Sequence, residues 1–62
     1  MIENYEYPFI EGDRVQHYRD INLVGCVQEI DRNLPHPTTC TILWDGYLEV
    51  DIHWSNKIIK LE

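Results

Sequence analysis

Apolar and polar residues alternate along most of this 62-residue chain, in runs of four to eight. Strict alternation is the mark of a strand with one buried face. No window of eleven residues shows the i, i+3, i+4, i+7 recurrence of an amphipathic helix, and alanine is absent. The pattern predicts five strands, over residues 13–18, 24–31, 38–44, 47–53 and 57–61. Residues 19–23 form the first connection. Asn33, Pro35 and Pro37 break the chain in the second, at 32–37. Trp54-Ser55-Asn56 predicts a tight helical turn before the last strand. Residues 1–11 read as an N-terminal arm and 12–62 as the domain. Tyr5, Tyr7, Phe9 and Ile10 are too many apolar side chains for a free tail, so part of the arm should lie on the domain surface.

The connection at Asp45-Gly46 can be argued further. A two-residue hairpin loop would set Trp44 opposite Tyr47. Cys40, Ile42 and Trp44 would then share a face with Glu49 and Asp51. An odd-length loop, with Gly46 left-handed in a bulge, shifts the register by one. Cys40 and Ile42 then join Leu48, Val50 and Ile52 on one face, leaving Thr39, Thr41, Glu49 and Asp51 in solvent. One residue of slip turns every side chain to the opposite face. The cleaner segregation predicts the odd loop.

Five short strands must hide their edges, and a small bent barrel does so economically. Gly25 would permit a sharp bend in the second strand. Gly12-Asp13-x-Val15 opening the first strand, Val24-Gly25-x-Val27 in the second and a third strand ending Trp44-Asp45-Gly46 resemble SH3-like small barrels. The resemblance covers residues 11–62 and implies an all-β, five-stranded SH3-like barrel carrying the N-terminal arm. The layout is similar to the SH3-like accessory subunits of photosynthetic electron transfer: the photosystem I stromal subunit, the variable chain of ferredoxin–thioredoxin reductase and the ferredoxin-docking subunit of the photosynthetic NDH complex. It is equally similar to Tudor, KOW and Mind-bomb-type domains. The first group implies docking of acidic ferredoxin through basic residues, and the KOW type implies nucleic-acid binding.

Charge turns the expectation away from both. Eleven Asp and Glu against five Lys and Arg give a net charge of −6, the wrong sign for tracking phosphates or docking an acidic protein. The acidic residues point instead to a protein partner with a basic surface, or to solubility alone. The longest apolar runs, such as Ile42-Leu43-Trp44, are too short for a membrane helix, so no membrane insertion is expected. The acidic N-terminus has no signal-like apolar stretch, which suggests the cytoplasm. Two cysteines are too few for a disulfide framework, so Cys26 and Cys40 are expected as reduced, buried thiols.

Four aromatics fall at strand ends and turns: Tyr18, Trp44, Tyr47 and Trp54. Gathered at one barrel rim, with Asp20 and Asp45 as polar partners, they could bind an extended peptide or hold a methylated lysine by cation–π attraction. The competing reading has Trp44 and Trp54 closing the barrel ends. His17, His36, His53, Cys26 and Cys40 lack the close pairing of a zinc knuckle, so no metal or cofactor is expected. A cysteine with His17 or His53 and Asp51 can be drawn as a triad, but a buried thiol is inert. Leu43 and Tyr47, with Ile58 or Ile59, would form an outward apolar patch suited to docking or to a homodimer. The expectation is a non-catalytic protein-interaction module, an accessory or regulatory subunit. The alternatives are a KOW- or Tudor-like module of a nucleic-acid complex, and a small metal or thiol protein.

Overall fold

The computed structural model describes residues 4–61. It contains β1 (Arg14–His17), β2 (Asp20–Ile30), β3 (Thr39–Trp44), β4 (Asp51–Trp54), a 3-10 turn at Ser55–Lys57 and β5 (Ile58–Lys60). The strands form one antiparallel sheet in the order β4-β3-β2-β1-β5, curled into a half-barrel. The extra residues in β2 account for the curl. The β1–β2 register shifts between Gln16 and His17, and the β2–β3 register shifts between Val27 and Glu29. Each unpaired insertion bends its strand and increases the local twist.

The inner face of the curl holds the core: Phe9, Val15, Val27, Ile30, Cys40, Ile42, Trp44 and Ile58. Gly25 lies opposite both Val15 and Trp44 on that face. A Cβ there would come within 2.3 Å of the Leu43 carbonyl oxygen and 2.7 Å of Trp44 Cα. The missing side chain therefore lets the β3 backbone approach β2, besides easing the bend. The arm is knitted in at several points. Phe9 is in the core, Tyr7 packs against it, and the Tyr7 hydroxyl donates to the Leu34 carbonyl at 2.6 Å. The His36 N–H donates to Tyr5 Oη at 2.9 Å, so the arm straps the 32–37 loop.

The connection between β3 and β4 corrects the expected register. Thr39 pairs with Trp54, Cys40 with His53, Thr41 with Ile52 and Ile42 with Asp51. Cys40 and Ile42 therefore share the inner face with His53 and Asp51. Ile52 and Trp54 point outward at 68% and 51% exposure, Val50 is 54% exposed, and Leu48 is 99% exposed. The odd loop does not form. Tyr47 N–H donates to the Trp44 carbonyl at 3.0 Å, closing a four-residue turn. Gly46 has φ of 85°, while Asp45 keeps negative φ. Positive φ at the third residue alone is the type II pattern, and type II turns splay the strands they join. The chain bends at Leu48 and Glu49, and pairing resumes only at Asp51, so β4 is shorter than residues 47–53. At its other end β2 is longer than expected. Residues 20–23, expected as loop, extend the strand.

Candidate functional site

Two surfaces carry the chemistry, one on each side of β3 and β4. On the inner side, His17 at the end of β1 reaches across the opening of the half-barrel to His53 of β4, ring centroids 5.3 Å apart. Both meet the indole of Trp44, at 6.3 and 5.3 Å. The opening is thus bridged by imidazoles where no ladder closes it. Trp44 Nε1 lies 3.3 Å from His53 Nε2, and Asp51 Oδ2 lies 3.0 Å from the same nitrogen. One ring nitrogen serves one of these at a time. As an acceptor it takes the indole N–H, and as a donor it binds the carboxylate. This arrangement makes an inward-facing aspartate tolerable on an edge strand, because Asp51 remains mostly in water.

The aromatics singled out in the sequence do not share one rim. Trp44 is 1% exposed and belongs to the core. Trp54 projects from the outer face beside Thr39. Tyr47 stands in the β3–β4 turn. Tyr18 follows β1, where Lys57 Nζ and Arg19 Cζ lie 4.8 and 5.2 Å from its ring centroid, so the chain's own cations occupy its surroundings. Asp20 Oδ1 accepts the Asn22 N–H at 3.0 Å. Asp45 receives a two-pronged bond from Arg14, at 2.8 and 2.6 Å, which lowers its carboxyl below the usual carboxylate range.

The remaining cations are engaged in the same way. Arg32 binds Glu11 and overlies Tyr7, and Lys60 lies 3.5 Å from Asp13. A bond to its own backbone, joined by Arg32, lowers the Glu11 carboxyl, against burial, which raises it. Every Lys and Arg of the sequence therefore has an acidic or aromatic neighbour within the chain.

The nucleophile candidates are held in structural contacts. Burial, with a smaller effect of Glu11, pushes the Cys40 thiol up to about 11. Cys26 is half-buried on the outer face, with Arg14 Nη1 at 3.6 Å. A Ser–His contact that spacing could not reveal joins Ser55 Oγ to His36 Nδ1 at 2.7 Å. Ser55 is 1% exposed and its Oγ also accepts the Thr38 N–H at 2.8 Å, and the imidazole tautomer sets which partner donates in the His36 contact. The pair fastens the 32–37 loop to the 3-10 turn. Among the described residues no three His, Cys, Asp or Glu side chains are grouped as a metal ion requires, and no helix is long and apolar enough to cross a membrane.

The outer surface is the larger feature. Val50, Ile52 and Trp54 form an exposed apolar row along the edge of the sheet. Leu48 lies just before it, beside a shallow open depression lined by Gly46, Tyr47, Leu48 and Glu49. Sequence reasoning placed Leu48, Val50 and Ile52 inside and so missed this row. The signal was present in their alternation, but alternation does not say which face is wet. No known protein-family model, curated protein or solved structure matches the chain.

Proposed function

We propose that this chain is a non-catalytic protein-interaction module with an SH3-like barrel layout, acting as an accessory or regulatory subunit that docks on a larger protein through the outer face of β4. One observation carries the reading: β4 contributes no residue to the core, yet every second residue from Leu48 to Trp54 is large, apolar and exposed. A contiguous exposed apolar surface on a small domain marks an interaction site, because leaving it in water is unfavourable unless a partner covers it. The strand order, the 3-10 turn before β5 and the bend glycine Gly25 support the SH3-like layout. The net charge is −6, so the partner surface carries basic residues around an apolar centre. The engagement of the chain's few cations by its own acids and by Tyr18 supports a protein partner over a nucleic acid.

The test is capture from the native host with the wild type and with Val50→Ser/Trp54→Ser. Both side chains are exposed, so the variant should keep its fold by circular dichroism and lose the partner. Equal recovery of the same partners by both proteins overturns the docking face. Tight oligonucleotide binding at about 0.2 M salt overturns the choice of partner class.

A further inference from the structure

The polar edge of β4 has a direction that identifies what can sit on it. Ser55 N–H donates to the Thr38 carbonyl at 2.7 Å, and Asp31 N–H donates to the Thr39 carbonyl at 3.0 Å. In an antiparallel ladder, hydrogen-bonded and non-hydrogen-bonded pairs alternate. With Thr38 and Ser55 hydrogen-bonded, Cys40–His53 and Ile42–Asp51 follow as hydrogen-bonded pairs. Thr39–Trp54 and Thr41–Ile52 are then the non-hydrogen-bonded pairs, in agreement with Thr39 directing its carbonyl toward β2. The N–H and C=O of Ile52 and the N–H of Trp54 therefore face away from the sheet, while the Trp54 carbonyl accepts the first bond of the 3-10 turn it caps; Val50, one residue before the ladder, continues the same alternation. β4 is an edge strand, so the outward groups are open to another strand.

We propose that this edge pairs with β4 of a second copy, antiparallel, with Ile52 on the two-fold axis. The proposal rests on reading β4 as an interaction strand and names one occupant of its edge. Ile52 would lie opposite Ile52 of the partner subunit in a hydrogen-bonded pair. Asp51 faces His53 of the partner subunit, and Val50 faces Trp54 of the partner subunit, each contact occurring twice. The pairs are an acid with an imidazole and a β-branched residue with an aromatic, both favourable across strands. Neighbouring registers are worse. A two-fold at Asp51 sets two carboxylates opposite each other. A two-fold at His53 runs Asp51 into Ser55, where the 3-10 turn ends the strand. The edge is self-complementary in the one register that pairs all of Val50–Trp54, which is what an isologous interface requires. The axis stands perpendicular to the sheet, so both apolar rows emerge on the same side and form one doubled stripe. The net charge of −6 on each copy opposes association, and salt screens that repulsion beyond about 8–10 Å.

Light scattering on the full chain, from about 10 µM to about 1 mM, should show the mass rising from 7.4 kDa toward twice that value, and at lower concentration as salt is added. Ile52→Cys should form an intermolecular disulfide under mild oxidation at least about tenfold faster than wild type or Glu29→Cys. The paired Cα atoms would stand about 5.5 Å apart, within disulfide reach. Ile52→Pro removes only an outward N–H and should be a folded monomer. If that variant fails to fold, Ile52→Lys sets two charges on the axis and should be a folded monomer as well. A wild type that stays monomeric over the whole range, or an Ile52→Cys protein that cross-links no faster than the controls, overturns the proposal. A monomer whose partner capture still depends on Val50 and Trp54 removes the dimer and keeps the docking reading. A dimer whose capture ignores them does the reverse.

Discussion

Strands β3 and β4 are hydrogen-bonded neighbours with nearly the same pattern, and they end in opposite environments. In Thr39–Trp44 every second residue is buried: Cys40, Ile42 and Trp44. In the next apolar row, Leu48, Val50, Ile52 and Trp54 are all exposed. The difference comes from the turn between them. A type II turn splays the strands, and pairing restarts with Ile42 facing Asp51. Once that pair is fixed, the apolar row must point outward. The lesson is that amphipathic alternation gives a strand its period, while a single turn glycine decides which row becomes core and which becomes surface. The two tryptophans put this to the most severe test. Trp44→Ala removes a 1% exposed indole and should cost about 3–5 kcal/mol in urea denaturation. Trp54→Ala, at 51% exposure, should cost less than about 1 kcal/mol. Equal losses would break the comparison, because they would place both indoles in the core.

Gly25→Ala tests the approach of β3 to β2 from the other side. The added Cβ would meet backbone atoms of Leu43 and Trp44, which cannot swing away as a flexible side chain could. The expected loss is about 3 kcal/mol, the upper end of ordinary overpacking. No β4 residue has an equivalent constraint, since its outer edge is open. A Gly25→Ala protein as stable as wild type would show that β2 and β3 can separate and that the buried row is less fixed than its burial implies.

Much of the fold was legible in the residues themselves. β1, β3 and β5 fall within a residue or two of their predicted places, because period-two alternation between breakers such as Asn33, Pro35 and Pro37 has few other solutions. The 3-10 turn follows from the same punctuation. The register after Trp44 was not legible. Asp45-Gly46 suits several turns, and the choice among them rests on the φ of Asp45, which composition does not determine. The inner contacts were hidden for a further reason. His17 and His53 lie on strands that are not neighbours in the sheet, and only the curl brings them to 5.3 Å. Trp44, Trp54, Tyr18 and Tyr47 are readable from the sequence as large aromatics at strand ends and in turns. Which side of the sheet each occupies depends on that same register.

A smaller effect separates the rows by pH. The Cys40 thiol on β3 rises from an ordinary 9.0 to about 11 because burial disfavours its thiolate. Its folded pKa is the higher one, so the folded state holds the proton more tightly. That contribution is complete below pH 9 and is lost as pH rises from 9 to 11, amounting to about 2 kcal/mol by pH 11. Cys40→Ala, though less stable at neutral pH, should lose less with alkali. Parallel alkaline slopes for the two proteins would refute the assignment. In thiol labelling of the native protein, half-buried Cys26 should react first and Cys40 only on opening.

The smallest effect is expected at Leu48. It is 99% exposed and lies in the bend before β4, so Leu48→Ser should change stability by no more than about 0.5 kcal/mol in either direction. A leucine at that position has no folding role to lose. If it contributes to a docking face, its removal should appear only in partner capture, weakened alongside the Val50 and Trp54 variants. A destabilisation above about 1 kcal/mol would mean that Leu48 packs against the sheet, as the odd-loop register requires. Binding loss without stability loss is therefore the outcome that separates a row kept for a partner from a row kept for the core. It is read at the residue where the two registers differ most.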